Sequence, residues 1–283
     1  MGMVLLGASL WGSSSNCMEY LMTHQHFTWQ AILFARMVLT GLFFLAFCLY
    51  KKEPLLAPLR KEPWLMLKFT VLGMFVMQVP FVKAIYYSNA ATATVLQYLM
   101  PAILLVMSLW KAKRGPRRRE VVAVGLAILG TALIATRGEG AVLAVSPETL
   151  FWGILGAFGM AWYTLYAAEL LQRYSCFLII GWGSLGNALL LELLVHPNVQ
   201  GALFNFDTLW SFGVLFVLGT LVAYTVYLES TRYIPASETG TLAAFEPLSA
   251  YFFSILFLGN HIGVAESIGA LCIITMVVLL AQK

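Results

Sequence analysis

Ten stretches of the chain stay apolar for 17 to 24 residues at a time: 3–22, 30–50, 64–86, 91–110, 120–136, 150–171, 176–195, 208–231, 238–258 and 263–281. A run of about 20 apolar residues is what an α-helix needs to cross the hydrocarbon core of a bilayer. Backbone groups in lipid must be satisfied within the segment, and none of these runs has the strict apolar–polar alternation of a barrel strand, so each predicts a helix. The fold expected is therefore an all-α membrane protein with ten transmembrane helices and short loops. Of the 283 residues, 60% are hydrophobic and 11% charged, where soluble domains carry roughly half and a quarter. No length remains for a soluble catalytic or nucleotide-binding domain.

The basic residues flank the apolar runs, which reads as membrane orientation and not as a nucleic-acid surface. Lys51, Lys52, Arg60 and Lys61 follow the second run, and Lys111, Lys113, Arg114, Arg117, Arg118 and Arg119 follow the fourth. With ten spans these share a face with Arg173, Arg232 and Lys283, leaving only Arg137 opposite. The positive-inside rule then places both termini in the cytoplasm. His24, His26, His196 and His261 fall at the outer ends, where an interfacial polar ring accounts for them better than a metal site. The four cysteines lack CxxC spacing and read as small buried hydrophobes. The N-terminal run has no basic leader and no small-residue cleavage site, so it is expected to stay as the first span.

The chain also repeats itself. A gapless shift of 146 residues lays 72–135 over 218–281 with twelve of 64 pairs identical, against roughly five expected from apolar composition alone. The pairs include Gly73 with Gly219, Leu96 with Leu242, Pro101 with Pro247 and Glu120 with Glu266, and a shift of 151 brings Trp11 onto Trp162. The two halves are 1–137 and 149–283. Each holds five spans, an odd number, so the second copy enters the membrane inverted. Inverted repeats exchange shapes about an in-plane axis and enclose a site near the midplane, which makes transport by alternating access the expected function.

Polar groups within the spans are the candidates for that site, because burying them in lipid is costly. Glu246 precedes Pro247 mid-span, opposite Met100-Pro101 of the first half; each proline frees a carbonyl four residues earlier, on Ala243 and Gln97. Glu246 reads equally as a proton carrier, a counter-charge to an amino-bearing substrate, or a structural acceptor. Trp11, Gln78, Tyr98, Tyr163 and Tyr224 lie several residues inside their spans and complete the expected substrate-binding set. Glu19 and Arg36 form a plausible structural ion pair across the first hairpin, while Lys83 and Glu229 each snorkel to their own interface. Gly153, Gly156 and Gly159 read as a close-packing face. No HExxH, GxSxG or phosphate-binding GxxxxGK motif is present, so neither an enzyme nor a chain-borne ATPase is indicated, and no cofactor is expected. The expected partners are a small-molecule substrate and membrane lipid. Coupling to a proton or other ion stays open, as does oligomeric state, and a non-transporting sensor or assembly factor is the alternative.

Several segments resemble the drug/metabolite transporter superfamily in its EamA-type, ten-span form. They are Ala8-Ser9-Leu10-Trp11-Gly12, Ala90 through Tyr98 running to Pro101, Glu246-Pro247 with Leu258-Gly259 ten residues on, and Gly269-Ala270-Leu271. The resemblance covers nearly the whole chain. It implies two inverted five-helix repeats and a central cavity lined mainly by spans one, three, four, six, eight and nine. It also implies a bacterial inner-membrane protein that moves amino acids or related metabolites, mostly outward.

Overall fold

A computed structural model describes residues 2–136, 145–230, 245–259, 261 and 263–281, the side chains of 224, 228–230 and 281 excepted. The elements described are all helical. We label the long ones α1 (Gly2–Thr23), α2 (Trp29–Tyr50), α3 (Pro63–Tyr87), α4 (Ala90–Ala112), α5 (Arg118–Thr136), α6 (Pro147–Leu170), α7 (Cys176–Val195), α8 (Phe206–Tyr227, continuing to Ser230), α9 (Phe245–Leu258) and α10 (Val264–Ala281). Seven of these, α2 to α8, are long and apolar enough to cross a membrane. The described parts of α9 and α10 are shorter apolar helices. α1 has the length at 22 residues, but Ser13, Ser14, Ser15, Asn16 and Glu19 dilute it. The part of the ninth run before Phe245 lies outside the described residues.

Local chemistry sets the helix ends. Side-chain oxygens of Thr28, Asn89, Ser146, Ser175 and Asn205 accept from backbone N–H groups in the first turns of α2, α4, α6, α7 and α8, which satisfies donors that the helix itself leaves open. The Asn89 cap is reinforced from another helix: Glu19 Oε2 of α1 accepts from Ala90 N–H at 2.7 Å. That places a carboxylate on the positive end of α4, a use of Glu19 that its sequence position did not suggest. His196 ends α7 in the left-handed region with φ 51°, and His26 occupies a turn with φ 55°.

Helix pairing crosses between the halves. α2 packs along α7, α3 along α6, α5 along α10, and α1 against α8 and α9. Adding five to each helix number, counted round ten, maps these pairings onto themselves: α1–α8 becomes α6–α3, and α1–α9 becomes α6–α4, which also touch. Small residues carry the closest approaches. Gly130 of α5 and Gly269 of α10 face each other's carbonyl oxygens, and a Cβ on either would lie 2.7 Å from the other's oxygen. Gly73 admits the backbone of Tyr163, and its repeat partner Gly219 admits Ser14.

Two further features recur at the same register. α3 carries a π-helical stretch at Phe69–Phe75 and α8 one at Val214–Val222; the 146-residue shift carries the first onto 215–221. Glu120 Oε2 accepts from Arg117 N–H at 2.7 Å and Glu266 Oε2 from Gly263 N–H at 2.8 Å. These are two copies of the reciprocal arm of a capping box, which gives the matched glutamates a physical reason.

Loop contacts sort by face. Arg173, between α6 and α7, pairs with Glu62, between α2 and α3, which raises the guanidinium above its ordinary value. Ser175 also donates to Glu53 at 2.5 Å. Arg119 donates to the carbonyl of Leu279, so the basic segment after α4 sits against the end of α10. The remaining loops meet each other elsewhere: Leu203 N–H donates to Gln25 O at 2.9 Å and Thr28 Oγ1 to Asn198 O at 2.8 Å. The α2–α3 loop thus contacts the α6–α7 loop, and the α1–α2 loop contacts the α7–α8 loop. Lys83 does more than snorkel: its ammonium lies 4.0 Å from the ring centre of Trp152 and 5.2 Å from that of Trp29, a cation–π arrangement joining α3, α6 and α2. Its repeat partner Glu229 lies outside the described side chains.

Candidate functional site

The break in α4 builds one wall of the site. Pro101 removes the N–H that would bond Gln97, and regular α-helix stops at Gln97 and resumes at Met100. At the step, Tyr98 N–H is shared between the carbonyls of Thr94 and Val95. Its half-buried side chain leaves the helix there and its hydroxyl donates to Glu246 Oε2 at 3.0 Å.

Glu246 sits in the first turn of α9, one residue before the buried Pro247. α1 holds that turn in place through a residue with no side chain. A Cβ on Gly12 would lie 2.8 Å from the Glu246 carbonyl and 2.7 Å from Ala250 N. Around this contact Ser249 Oγ donates to Glu246 O at 2.8 Å, and Asn16 Nδ2 donates to Gly12 O at 2.9 Å and Ala250 O at 3.0 Å. The carboxylate thus lies where α1, α4 and α9 meet, with its backbone fixed.

Trp11, immediately before Gly12, completes the neighbourhood. Its ring packs on Tyr227 of α8 with centroids 4.9 Å apart at 48°. Tyr227 was not among the residues predicted from sequence. It lies three residues past Tyr224 in the same run, one helical turn along, and that spacing was the available signal. The Tyr224 side chain lies outside the described residues.

Of the six predicted residues the structure therefore brings together Trp11, Tyr98 and Glu246, and it places two elsewhere. Tyr163 packs on Phe69 with centroids 5.3 Å apart, on the α3–α6 seam beside Gly73. Gln78 is buried and lines a small polar space with Arg36, Thr40, Ser184 and Thr220. Arg36 Nε donates to Thr220 Oγ1 at 3.4 Å, so this residue reaches α8 from α2.

Chemically, the meeting point offers one carboxylate oxygen held by a phenol, a second oxygen on the same group, and aromatic faces from α1 and α8. A cationic amine suits such a place, because it pairs with the carboxylate and rests on electron-rich rings. The groove of about 320 Å³ lined by Phe43, Phe44, Phe47, Phe177 and Leu221 is almost wholly apolar and carries no such chemistry.

Comparison with known proteins follows the same lines. The EamA-like transporter family model matches twice, over residues 1–136 and 148–282. An uncharacterized inner membrane transporter of Salmonella typhimurium, YicL, is 32% identical over 285 residues, covering 98% of this chain and 93% of its own. An uncharacterized transporter of Bacillus subtilis, YetK, is 23% identical over 239 residues, covering 82% and 72%. One solved crystal structure superposes with a TM-score of 0.62 at 17% identity, covering 98% of this chain and 94% of that one, a likeness of fold.

Proposed function

Since the chain belongs to the EamA-like transporter family, we propose that it is a secondary carrier for a small amino-bearing metabolite, an amino acid or close relative, with export favoured. Its two inverted five-helix repeats, 1–137 and 149–283, rock against each other to give alternating access. The chain sits in a bacterial inner membrane with both termini in the cytoplasm. The paired π-stretches, the paired capping glutamates and the five-step mapping of helix contacts support the repeat; the Arg173–Glu62 pair and the contact of Arg119 with the end of α10 support the topology.

The observation that carries the proposal is the Tyr98–Glu246 hydrogen bond at 3.0 Å. It joins the broken helix of one half to the Glu-Pro helix of the other, so any motion of the halves works on it. Substrate ammonium replaces the Tyr98 hydroxyl on Glu246, while Trp11, Tyr227 and Tyr224 supply the apolar wall. The carboxylate, left without substrate, returns to Tyr98. This gives closed contact in the empty protein and an exchangeable partner in the loaded one. Gln78 and Tyr163 stand on the α3 seams that the same motion shears.

The test is solute counterflow in proteoliposomes loaded with amino acids, with Glu246→Gln, Tyr98→Phe, Tyr98→Ala and Tyr163→Ala beside the parent. Glu246→Gln should cut flux by at least tenfold, a loss equivalent to about 1.4 kcal/mol, with the monodisperse elution of the parent. Parental flux in Glu246→Gln, Tyr98→Ala and Tyr163→Ala together refutes the site. Absence of any solute flux, with no change in access of cysteine labels, refutes the carrier.

A further inference from the structure

α2 and α8 are joined partway along by the edge of one ring on another, Phe43 against Phe216 with centroids 6.3 Å apart at 85°. Between the two helices lies the groove of about 320 Å³, walled by Phe43, Phe44 and Phe47 in the last turns of α2, Phe177 in the first turn of α7, and α8 around Val222 and Val226. Its wall is packed before anything fills it. The Phe177 ring meets Phe44 at 5.3 Å and Phe47 at 5.1 Å.

The lining selects the occupant. A site for a metabolite carries a few placed polar groups, whereas the described walls here present rings and methyl groups. The hydroxyl of Thr225, which also lines the groove, turns back on Leu221 O at 2.7 Å. Phe43 is 45% exposed and Thr225 is exposed, on helices long enough to span a bilayer, so the groove faces lipid. Water finds too few polar partners in such a space, and a void would forfeit dispersion contacts along the whole lining. Acyl chain is the material that surrounds the groove and matches its walls.

The rim selects which lipid. Lys51 directly follows the last residue of α2, and its ammonium stands 5.7 Å from the centre of the Phe47 ring, so positive charge lies over one wall of the groove. Lys52 is next, in a left-handed turn at φ 58°. Glu53, beside them, accepts from Ser175 Oγ at 2.5 Å. A phosphate at this rim meets the Lys51 ammonium, while an ethanolamine or choline headgroup would bring a further cation beside two lysines. Basic pockets between spans on the cytoplasmic side hold anionic headgroups by the same chemistry.

We propose that the groove between α2, α7 and α8 binds one anionic phospholipid, with an acyl chain against Phe47, Phe177 and Val226 and the phosphate on Lys51. The lipid bridges α2 of the first half and α8 of the second. It requires nothing of the Tyr98–Glu246 contact.

Native mass spectrometry of the full-length protein released from detergent counts bound lipids during titration with phosphatidylglycerol or phosphatidylcholine of the same acyl chains. The first phosphatidylglycerol should bind more tightly than the first phosphatidylcholine. Lys51→Gln should weaken it about fivefold, the share of one basic residue at an anionic lipid surface, and Lys51→Arg should keep it. Val226→Trp, which fills the groove from α8, should weaken it at least as far. Equal affinity for the two lipids overturns the proposal. A preference for phosphatidylglycerol that Lys51→Gln or a folded Val226→Trp leaves intact places the lipid elsewhere and overturns the site. Should Val226→Trp not fold, crystals of the parent grown with phosphatidylglycerol brominated on its acyl chains decide: anomalous peaks between Phe47, Phe177 and Val226 are expected, and their absence at saturating lipid overturns the site.

Discussion

The three glycines on one face of α6 allow packing to be tested quantitatively, because a sequence pattern treats them alike and the structure does not. A Cβ on Gly159 would lie 2.4 Å from both Met77 N and Val76 C, in the backbone of α3. No rotamer relieves that contact; only separating α3 from α6 does. Overpacking of this kind costs about 3 kcal/mol at the upper end of its usual range, less roughly 0.5–1 kcal/mol that alanine regains in a helix. Gly159→Ala should therefore lose about 2 kcal/mol. On Gly156 the nearest atom to a Cβ is Phe81 N at 3.5 Å, an ordinary contact, so Gly156→Ala should gain the helical 0.5–1 kcal/mol with no penalty. Gly153 falls between, since its Cβ would meet the Leu96 side chain, Cδ1 at 2.5 Å, and a side chain can shift where a backbone cannot. Reversible unfolding of the three variants in mixed micelles measures the order directly. Equal losses at Gly156 and Gly159, or a larger one at Gly156, would refute the claim that α3 and α6 touch backbone to backbone at that point.

Other outcomes follow from particular contacts. Glu120→Ala and Glu266→Ala should each lower stability through loss of a capping acceptor, measured by the same unfolding; a loss at only one would break the equivalence of the two sites. Glu19→Gln should cost more than either, since a buried N–H at Ala90 loses a charged acceptor worth about 1.5–3 kcal/mol, and no change in melting temperature would show that α4 does not depend on α1. Lys83→Met should cost about 0.5–2 kcal/mol and Lys83→Arg much less, because the two tryptophans reward any cation; equal losses would mean that stem packing, not charge, matters there. Reporter fusions after Arg117 and at the chain end should give the same cytoplasmic signal, and opposite signals would overturn the topology.

Much of the architecture was legible because lipid makes the rules strict. A backbone that cannot bond to solvent must become helix wherever the apolar run is long enough, so nine of the ten runs reappear as helices within two or three residues, and Phe245–Leu258 matches the described end of the other. The 146-residue shift was visible as twelve matched pairs, and the structure supplies what some of them do: Glu120 and Glu266 cap helices, and Gly73 and Gly219 each admit a residue of a neighbouring helix, Tyr163 through its backbone and Ser14 through its side chain. Glu246 and Tyr98 were legible as polar groups beside prolines in apolar runs. Gln78 and Tyr163 were chosen on depth alone, and depth says nothing of azimuth. A residue halfway along a span can face any of several neighbours, so the structure assigns Gln78 to the Arg36 space and Tyr163 to Phe69.

What the sequence alone determined is therefore what depends on distance along one chain: which segments are helical, where they start and stop, which are flanked by charge, and which positions recur. What only the tertiary structure decided depends on rotation about each helix axis and on partners up to 234 residues away, as in the Asn16 bond to Ala250. In lipid an apolar side chain gains little by choosing one neighbour over another, so azimuth is set by small residues that allow close approach and by a few polar groups that must find partners. Gly12, Gly159, Glu19 and Tyr98 are residues of those kinds. Their identities stand in the sequence, and the surfaces they meet do not.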